Sequence, residues 1–154
     1  MPTMKLFLAA LMIALIPVTS SAQSHYRDVS LSEELFEAAH LGYMPIIVDL
    51  VERGANVNYL NAQRETPMHA AAARGHLHVM QYLQRQRAYL HPRTVENWIP
   101  LHHAVRFGHQ NIVSYLLANG APLYLRTRTG QTVFDIAKGT RNIPMLNLLE
   151  RYKR

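Results

Sequence analysis

The sequence repeats itself at a fixed interval, and this periodicity limits the possible folds more than any other feature. Residues 66–69 (TPMH) return as residues 99–102 (IPLH) and, in weaker form, as residues 132–135 (TVFD). Two further series keep the same interval: Gly42, Gly75 and Gly108, and Ala38, Ala71, Ala104 and Ala137. A period of about 33 residues lies within the range of about 20–50 residues that indicates an array of similar supersecondary units.

Each unit has the sequence pattern of two short helices. Thr66 can cap a helix and Pro67 suits its first position, where the missing N–H is harmless. Gly75 is suited to the left-handed conformation that ends such a helix. A second helix is indicated by a broad apolar face made of Leu77, Val79, Met80, Tyr82 and Leu83. Because neither helix can bury its apolar face alone, successive pairs must stack.

These residues resemble the ankyrin repeat, a unit of about 33 residues with a Thr-Pro-Leu-His signature at the start of its first helix. The resemblance extends from about Ser32 to Lys153. It implies an all-α solenoid of stacked helix-turn-helix units joined by hairpin loops, with about four repeats including the terminal caps. The repeat domain is expected at residues 30–154, and its units are expected at residues 30–58, 59–91, 92–124 and 125–154.

Several residues depart from the family pattern. Arg64 and Arg87 stand where the family prefers glycine, so both are predicted to adopt a positive φ that costs about 1–2 kcal/mol for a non-glycine residue. Arg141 likewise replaces the glycine expected one repeat after Gly108. At the N-terminal end, the spacing of Ser30 and Glu33 predicts a capping box. The acidic residues around it are expected to form a solvated cap face.

Residues 1–22 have the three-part pattern of a secretory signal peptide. Lys5 precedes an apolar run at Leu6–Ile16, and the segment ends in the small residues Ser20-Ser21-Ala22. We expect cleavage after Ala22, a linker at residues 23–29 and export to the periplasm or the extracellular space. A retained anchor is the alternative, although the apolar run is short against the roughly 20 residues that span a bilayer. No stable membrane insertion is expected after cleavage.

The sequence does not indicate an enzyme. It contains no cysteine, which excludes thiol nucleophiles, disulfides and Cys-ligated metals. It also lacks a nucleophile-elbow motif and a glycine-rich phosphate loop. In the ankyrin family, the positions of His69, His76, His102 and His109 carry structural histidines that bridge loops through backbone hydrogen bonds. The resemblance therefore implies a non-catalytic protein, with no metal site and no cofactor.

The charge of the chain is uneven. After removal of residues 1–22, the net charge is about +5, with −4 in residues 23–59 and +9 in residues 60–154. The basic part fits a protein partner with an acidic segment. The alternative is a salt-sensitive binder of polyanionic surfaces such as acidic lipid or polysaccharide. Nucleic acid ranks lower, because no long basic run or aromatic stacking platform is evident.

The resemblance places the recognition surface on the concave side, formed by the hairpin tips and the exposed flanks of the first helices. The residues predicted to bind the partner there are Trp98, Arg93, Arg126, Arg128, His103, Arg106, Phe107 and Arg74. Tryptophan and arginine are enriched among the residues that dominate interface energies. The competing interpretation is that Trp98 and Phe107 only pack locally.

Overall fold

The computed structural model describes the backbone of residues 20–153 and the side chains of residues 28–153. Within this range the helices are α1 (Ser20–Leu41), α2 (Met44–Glu52), α3 (Pro67–Arg74), α4 (Leu77–Arg85), α5 (Pro100–Phe107), α6 (Gln110–Ala118), α7 (Val133–Gly139) and α8 (Ile143–Glu150). The same residues form no β-strand. Most of the predicted signal sequence lies outside the described residues.

The helices form four antiparallel pairs that stack in chain order. The first helices of the pairs, α1, α3, α5 and α7, pack side by side as one layer, and each second helix, α2, α4, α6 or α8, packs against the first helix of its own pair as a second layer. Each of the last three predicted units contains one pair, whereas α1 extends beyond the N-terminal bound of the first predicted unit, 30–58. The apolar side chains between the layers, such as Leu35, Met68, Leu101 and Leu149, are fully buried. The predicted all-α solenoid is therefore confirmed.

Hairpin loops connect the pairs and are joined to one another. The loops at residues 61–65, 94–98 and 127–131 are each closed by two backbone hydrogen bonds. Val95 N–H donates to the carbonyl of Gln63 at 3.0 Å, and Arg128 N–H donates to the carbonyl of Glu96 at 2.8 Å. This backbone ladder holds the tips of adjacent loops in register beside the first helices.

Buried histidines connect each first helix to the next hairpin. The Nδ1 atom of His69 accepts a hydrogen bond from the backbone N–H of Thr66 at 3.1 Å. Its Nε2 atom therefore carries the proton and donates to the carbonyl of Trp98 at 3.2 Å. His102 makes the equivalent pair of bonds one unit later. The prediction that these histidines bridge loops is confirmed.

Burial strongly favours the neutral form of these two rings. Desolvation lowers the pKa of His69 to about 3 and the pKa of His102 to about 4. Their hydrogen bonds to backbone carbonyls oppose this shift without cancelling it. Both rings are therefore neutral near pH 7, and the fold depends on their staying neutral.

A second pair of histidines connects each unit to the one before it. His76 Nε2 lies 3.1 Å from the carbonyl oxygen of His40, and His109 Nε2 lies 3.0 Å from that of Ala73. The ring of His109 is so close to Gly75 that a Cβ atom there would lie 2.9 Å from it. Gly75 also has φ of 83°. This position therefore needs glycine for both space and backbone conformation.

The positive φ predicted for Arg64 and Arg87 is confirmed. Arg64 has φ of 60° and Arg87 has φ of 66°. Arg141, at the degenerate glycine position of the last unit, has φ of 53°. Each of these residues adopts a conformation that glycine would adopt at lower cost.

The N-terminal helix differs from its prediction in two respects. Residues 23–29, expected to be a linker, belong to α1, which begins at Ser20. No glycine or proline occurs between Ser20 and Gly42, so nothing interrupts the helix in that interval. The predicted capping box is wrong, because Ser30 lies inside α1 rather than at its start. Among residues 20–153, no helix has both the length and the apolar character that a membrane span requires.

Candidate functional site

A pocket of about 350 Å³ opens between the hairpins at 61–65 and 94–98 and the C-terminal part of α5. Four of the predicted binding residues line it together: Trp98, His103, Arg106 and Phe107. The other lining residues are Gln63, Glu65, Thr94, Val95 and Glu96. The pocket arises because the hairpin ladder places Trp98 beside the exposed flank of α5.

The walls of the pocket are aromatic and carry one cation. The His103 ring stands edge-on to the Trp98 ring, with centroids 5.1 Å apart. The Arg106 guanidinium lies 5.7 Å from the centroid of the Trp98 ring, within the range of a cation–π contact. Phe107 is 56% exposed, which makes it the most accessible apolar group at the site. This arrangement can receive an apolar or aromatic side chain and a neighbouring acceptor group.

One polar atom in the pocket has no partner. His103 Nε2 is buried without a hydrogen bond and lies 4.0 Å from Glu65 Oε1, too far for a direct bond. Burial lowers the pKa of His103, the Glu65 carboxylate opposes this shift, and Arg106 adds to it. Leaving such a group unpaired costs about 1–3 kcal/mol. A bound group that reached this atom would remove that cost.

The groove continues from this pocket toward α1. A second cavity of about 400 Å³ shares Glu65, His103 and Phe107 with the pocket and extends to His40. Arg74 Nε donates to His40 Nε2 at 2.8 Å. Arg74 is therefore at the edge of the second cavity and not in the pocket at Trp98. The two cavities together follow the flanks of α1, α3 and α5.

The three hairpin arginines of the predicted site do not line the pocket. Arg126 donates from Nη1 to the carbonyl of Gly130 at 2.7 Å. Arg128 forms an exposed ion pair with Glu96, with Nη1 and Oε1 3.5 Å apart. Arg93 is exposed and lies 3.4 Å from the side-chain oxygen of Asn97. These three arginines lie at the hairpins outside the pocket and are called the rim, and all three bond to groups of the protein itself.

Two carboxylates line the pocket that were not among the predicted binding residues. Glu65 holds its own hairpin together by accepting from Asn61 Nδ2 at 2.9 Å, and Glu96 is paired with Arg128. Glu65 could have been identified from the sequence, because it stands at the position equivalent to Trp98 in the preceding unit. The pocket is consequently less basic than the surrounding rim.

Trp98 both packs against the core and lines the pocket. Its ring is partly buried against the core cluster, and its carbonyl accepts the bond from His69. The competing interpretation of local packing therefore holds for one side of this ring. Phe107 is much more exposed, and it gives a cleaner probe of recognition than Trp98.

Comparison with known protein families identifies the repeat. The family described as Ankyrin repeats (3 copies) matches residues 35–149. Comparison with curated proteins finds no match. Within the described side chains, residues 28–153, no group of three or more His, Asp or Glu residues is arranged to hold a metal ion.

Proposed function

Because the chain belongs to the ankyrin-repeat family, we propose that it binds another protein through its concave groove. Ankyrin repeats mediate protein–protein interactions, and proteins built from them are typically non-catalytic scaffolds. The observation that carries the proposal is the pocket lined by both His103, whose Nε2 is unpaired, and the exposed Phe107. An aromatic pocket with one unsatisfied polar atom is suited to anchoring a single side chain of a partner.

Two arginines at the groove favour an acidic partner segment. Arg93 and Arg106 are exposed, and neither forms an ion pair with a carboxylate among residues 28–153. Carboxylates beside the anchored side chain would meet these guanidinium groups. Rim charges mainly raise the association rate, whereas the aromatic anchor sets the affinity. The partner is therefore proposed to carry an apolar anchor flanked by acidic residues.

A polyanion is the second candidate, and the +9 charge of residues 60–154 favours it. Two observations weigh against it, since Arg128 is paired with Glu96 and Glu65 lines the pocket itself. Salt separates the two candidates. Binding to heparin or to anionic vesicles would fall linearly and steeply with the logarithm of salt concentration. Binding through the aromatic pocket depends less on salt and is lost when Phe107 is truncated.

We also propose that the protein acts outside the cytoplasm, on the basis of its signal-like N-terminal sequence. The mature protein should begin at Gln23. Mass spectrometry of the N-terminal peptide from native material measures this directly. An intact Met1 terminus in washed membranes would indicate a retained anchor instead.

The test of groove binding is an affinity capture with matched variants. Immobilised wild-type protein, Phe107→Ala and Tyr124→Ala are each incubated with the native envelope fraction or medium. Tyr124 is the control, because it is an exposed aromatic residue (61%) that does not line the pocket. A groove partner is retained by the wild type and by Tyr124→Ala, and it is depleted on Phe107→Ala. Equal retention by all three proteins contradicts the proposal.

A further inference from the structure

The first unit exposes an apolar position that every later unit buries. Ile46 is 49% exposed, whereas its equivalents in the later units, Val79, Ile112 and Met145, are fully buried. Tyr43, at the position of His76 and His109, is exposed as well. Together with Glu34 and Leu41, Tyr43 and Ile46 are referred to as the N-terminal face.

The N-terminal face lines a cavity of about 650 Å³ with an acidic border. Leu41, Tyr43 and Ile46 supply its apolar surface, and Glu33, Glu34 and Glu37 lie beside them. None of the residues that line the cavity is lysine or arginine. Within residues 28–153, none of these three glutamates forms an ion pair. Such a border attracts a basic occupant and repels an acidic one.

A second copy of the chain fits this face poorly. A symmetric dimer would bring the acidic border of one copy against the acidic border of the other, which like charges disfavour. Continuation of the stack would need the last unit to accept an incoming side chain where Gly42 and Gly75 accept His76 and His109. A Cβ atom at those glycines would lie 2.7 and 2.9 Å from the incoming rings. Arg141 occupies that position in the last unit and brings a Cβ with it.

We propose that the N-terminal face binds a basic amphipathic helix of a partner protein. In the later units the equivalent surface is covered by helices, so its shape suits a helix. The apolar side of the incoming helix covers Tyr43 and Ile46, and its lysines or arginines meet the three glutamates. This site shares no residue with the pocket at Trp98, and its only overlap with the second cavity of the groove is at Phe36 and Glu37. The proposal stands whether or not the groove binds a partner.

The experiment uses a fluorescein-labelled helical peptide of leucine and lysine, with leucine spaced to form one apolar face. Fluorescence anisotropy measures its binding to the full-length chain. Ile46→Asp and Glu34→Lys should each weaken binding about tenfold or more, because one removes the apolar centre and the other reverses the border charge. A peptide with glutamate in place of lysine should not bind.

Three matched variants control for nonspecific effects. Ile143→Asp changes another exposed isoleucine (60%) in the last unit, and Glu52→Lys reverses an exposed charge of the first unit that does not line the cavity. Trp98→Ala alters the other site. All three should bind the peptide like the wild type. Circular dichroism verifies that the Ile46 and Glu34 variants remain folded.

Three outcomes would overturn the proposal. Wild-type affinity in both Ile46→Asp and Glu34→Lys would place the peptide elsewhere. No binding to the full-length chain would mean that the face does not take a basic helix. Self-association of the wild type in light scattering, abolished by Ile46→Asp, would assign the face to a second copy. If groove binding fails while the peptide result holds, only the proposed function is refuted.

Discussion

Acidification from about pH 7.5 to about pH 5 should destabilise the protein through its two most deeply buried histidines. Folding lowers the pKa of His69 to about 3 and that of His102 to about 4, against about 6.5 in the unfolded chain. Between these values the unfolded state binds protons that the folded state does not bind. The contribution of the two neutral rings to stability is therefore complete above pH 6.5 and is lost as the pH falls toward the folded pKa values.

The size of this effect follows from the two pKa values. At about pH 5 an unfolded histidine is almost fully protonated, while both folded rings remain largely neutral. Proton binding then stabilises the unfolded state by about 2 kcal/mol for each ring, or about 4 kcal/mol for both. Burial also lowers the pKa of His76 and His103, which adds to the loss in the same direction. The loss of about 4 kcal/mol is a large fraction of the roughly 5–15 kcal/mol by which a folded domain is typically stable.

Urea unfolding followed by circular dichroism at several pH values measures the loss. Stopping at about pH 5 limits the contribution of the carboxylates, which mostly titrate below it. NMR of the imidazole protons gives a second measurement, in which the rings of His69 and His102 should not titrate above pH 5. A flat free energy of unfolding, or either ring titrating near pH 6.5, would refute the reasoning.

Two substitutions test the backbone assignments. Arg87→Gly should leave the free energy of unfolding level or raise it by up to about 1 kcal/mol, since glycine relieves the positive φ at Arg87 but adds entropy to the unfolded chain; a clear drop in the denaturation midpoint would contradict the assigned strain. Gly75→Ala should destabilise the protein more than Gly54→Ala does. Both positions have a positive φ, but a Cβ added at Gly75 would lie against the His109 ring, whereas a Cβ added at Gly54 would meet no atom within 4 Å. Equal losses in thermal melts of the two variants would show that this close contact is unimportant.

The periodicity of the sequence was sufficient for the fold because the signals recur in every unit. Pro67 and Pro100 mark helix starts, and Gly75 and Gly108 mark helix ends, at the same interval along the chain. The same interval places Arg64 where the family prefers glycine, which predicted its positive φ. The first helix was harder to predict, since no preceding unit offers a comparison. Residues 23–29 are helical because no breaker occurs between them and Gly42.

The candidate site was only partly predictable. The register brought together Trp98, His103 and Phe107, because equivalent positions lie on one side of a solenoid. It could not show that Arg128 pairs with Glu96 or that Arg74 bonds to His40, since these contacts depend on side-chain directions in three dimensions. The unpaired nitrogen of His103 likewise has no signature in the sequence.

The pocket at Trp98 can be tested directly because the chain contains a single tryptophan. In ¹⁵N-labelled protein this residue gives one indole N–H signal, which can be followed while unlabelled partner from the capture experiment is added. If the groove is the binding site, this signal shifts or broadens on binding, together with the backbone signals of His103 and Phe107. Saturation of the complex with the indole signal unchanged would contradict the assignment of the groove as the binding site.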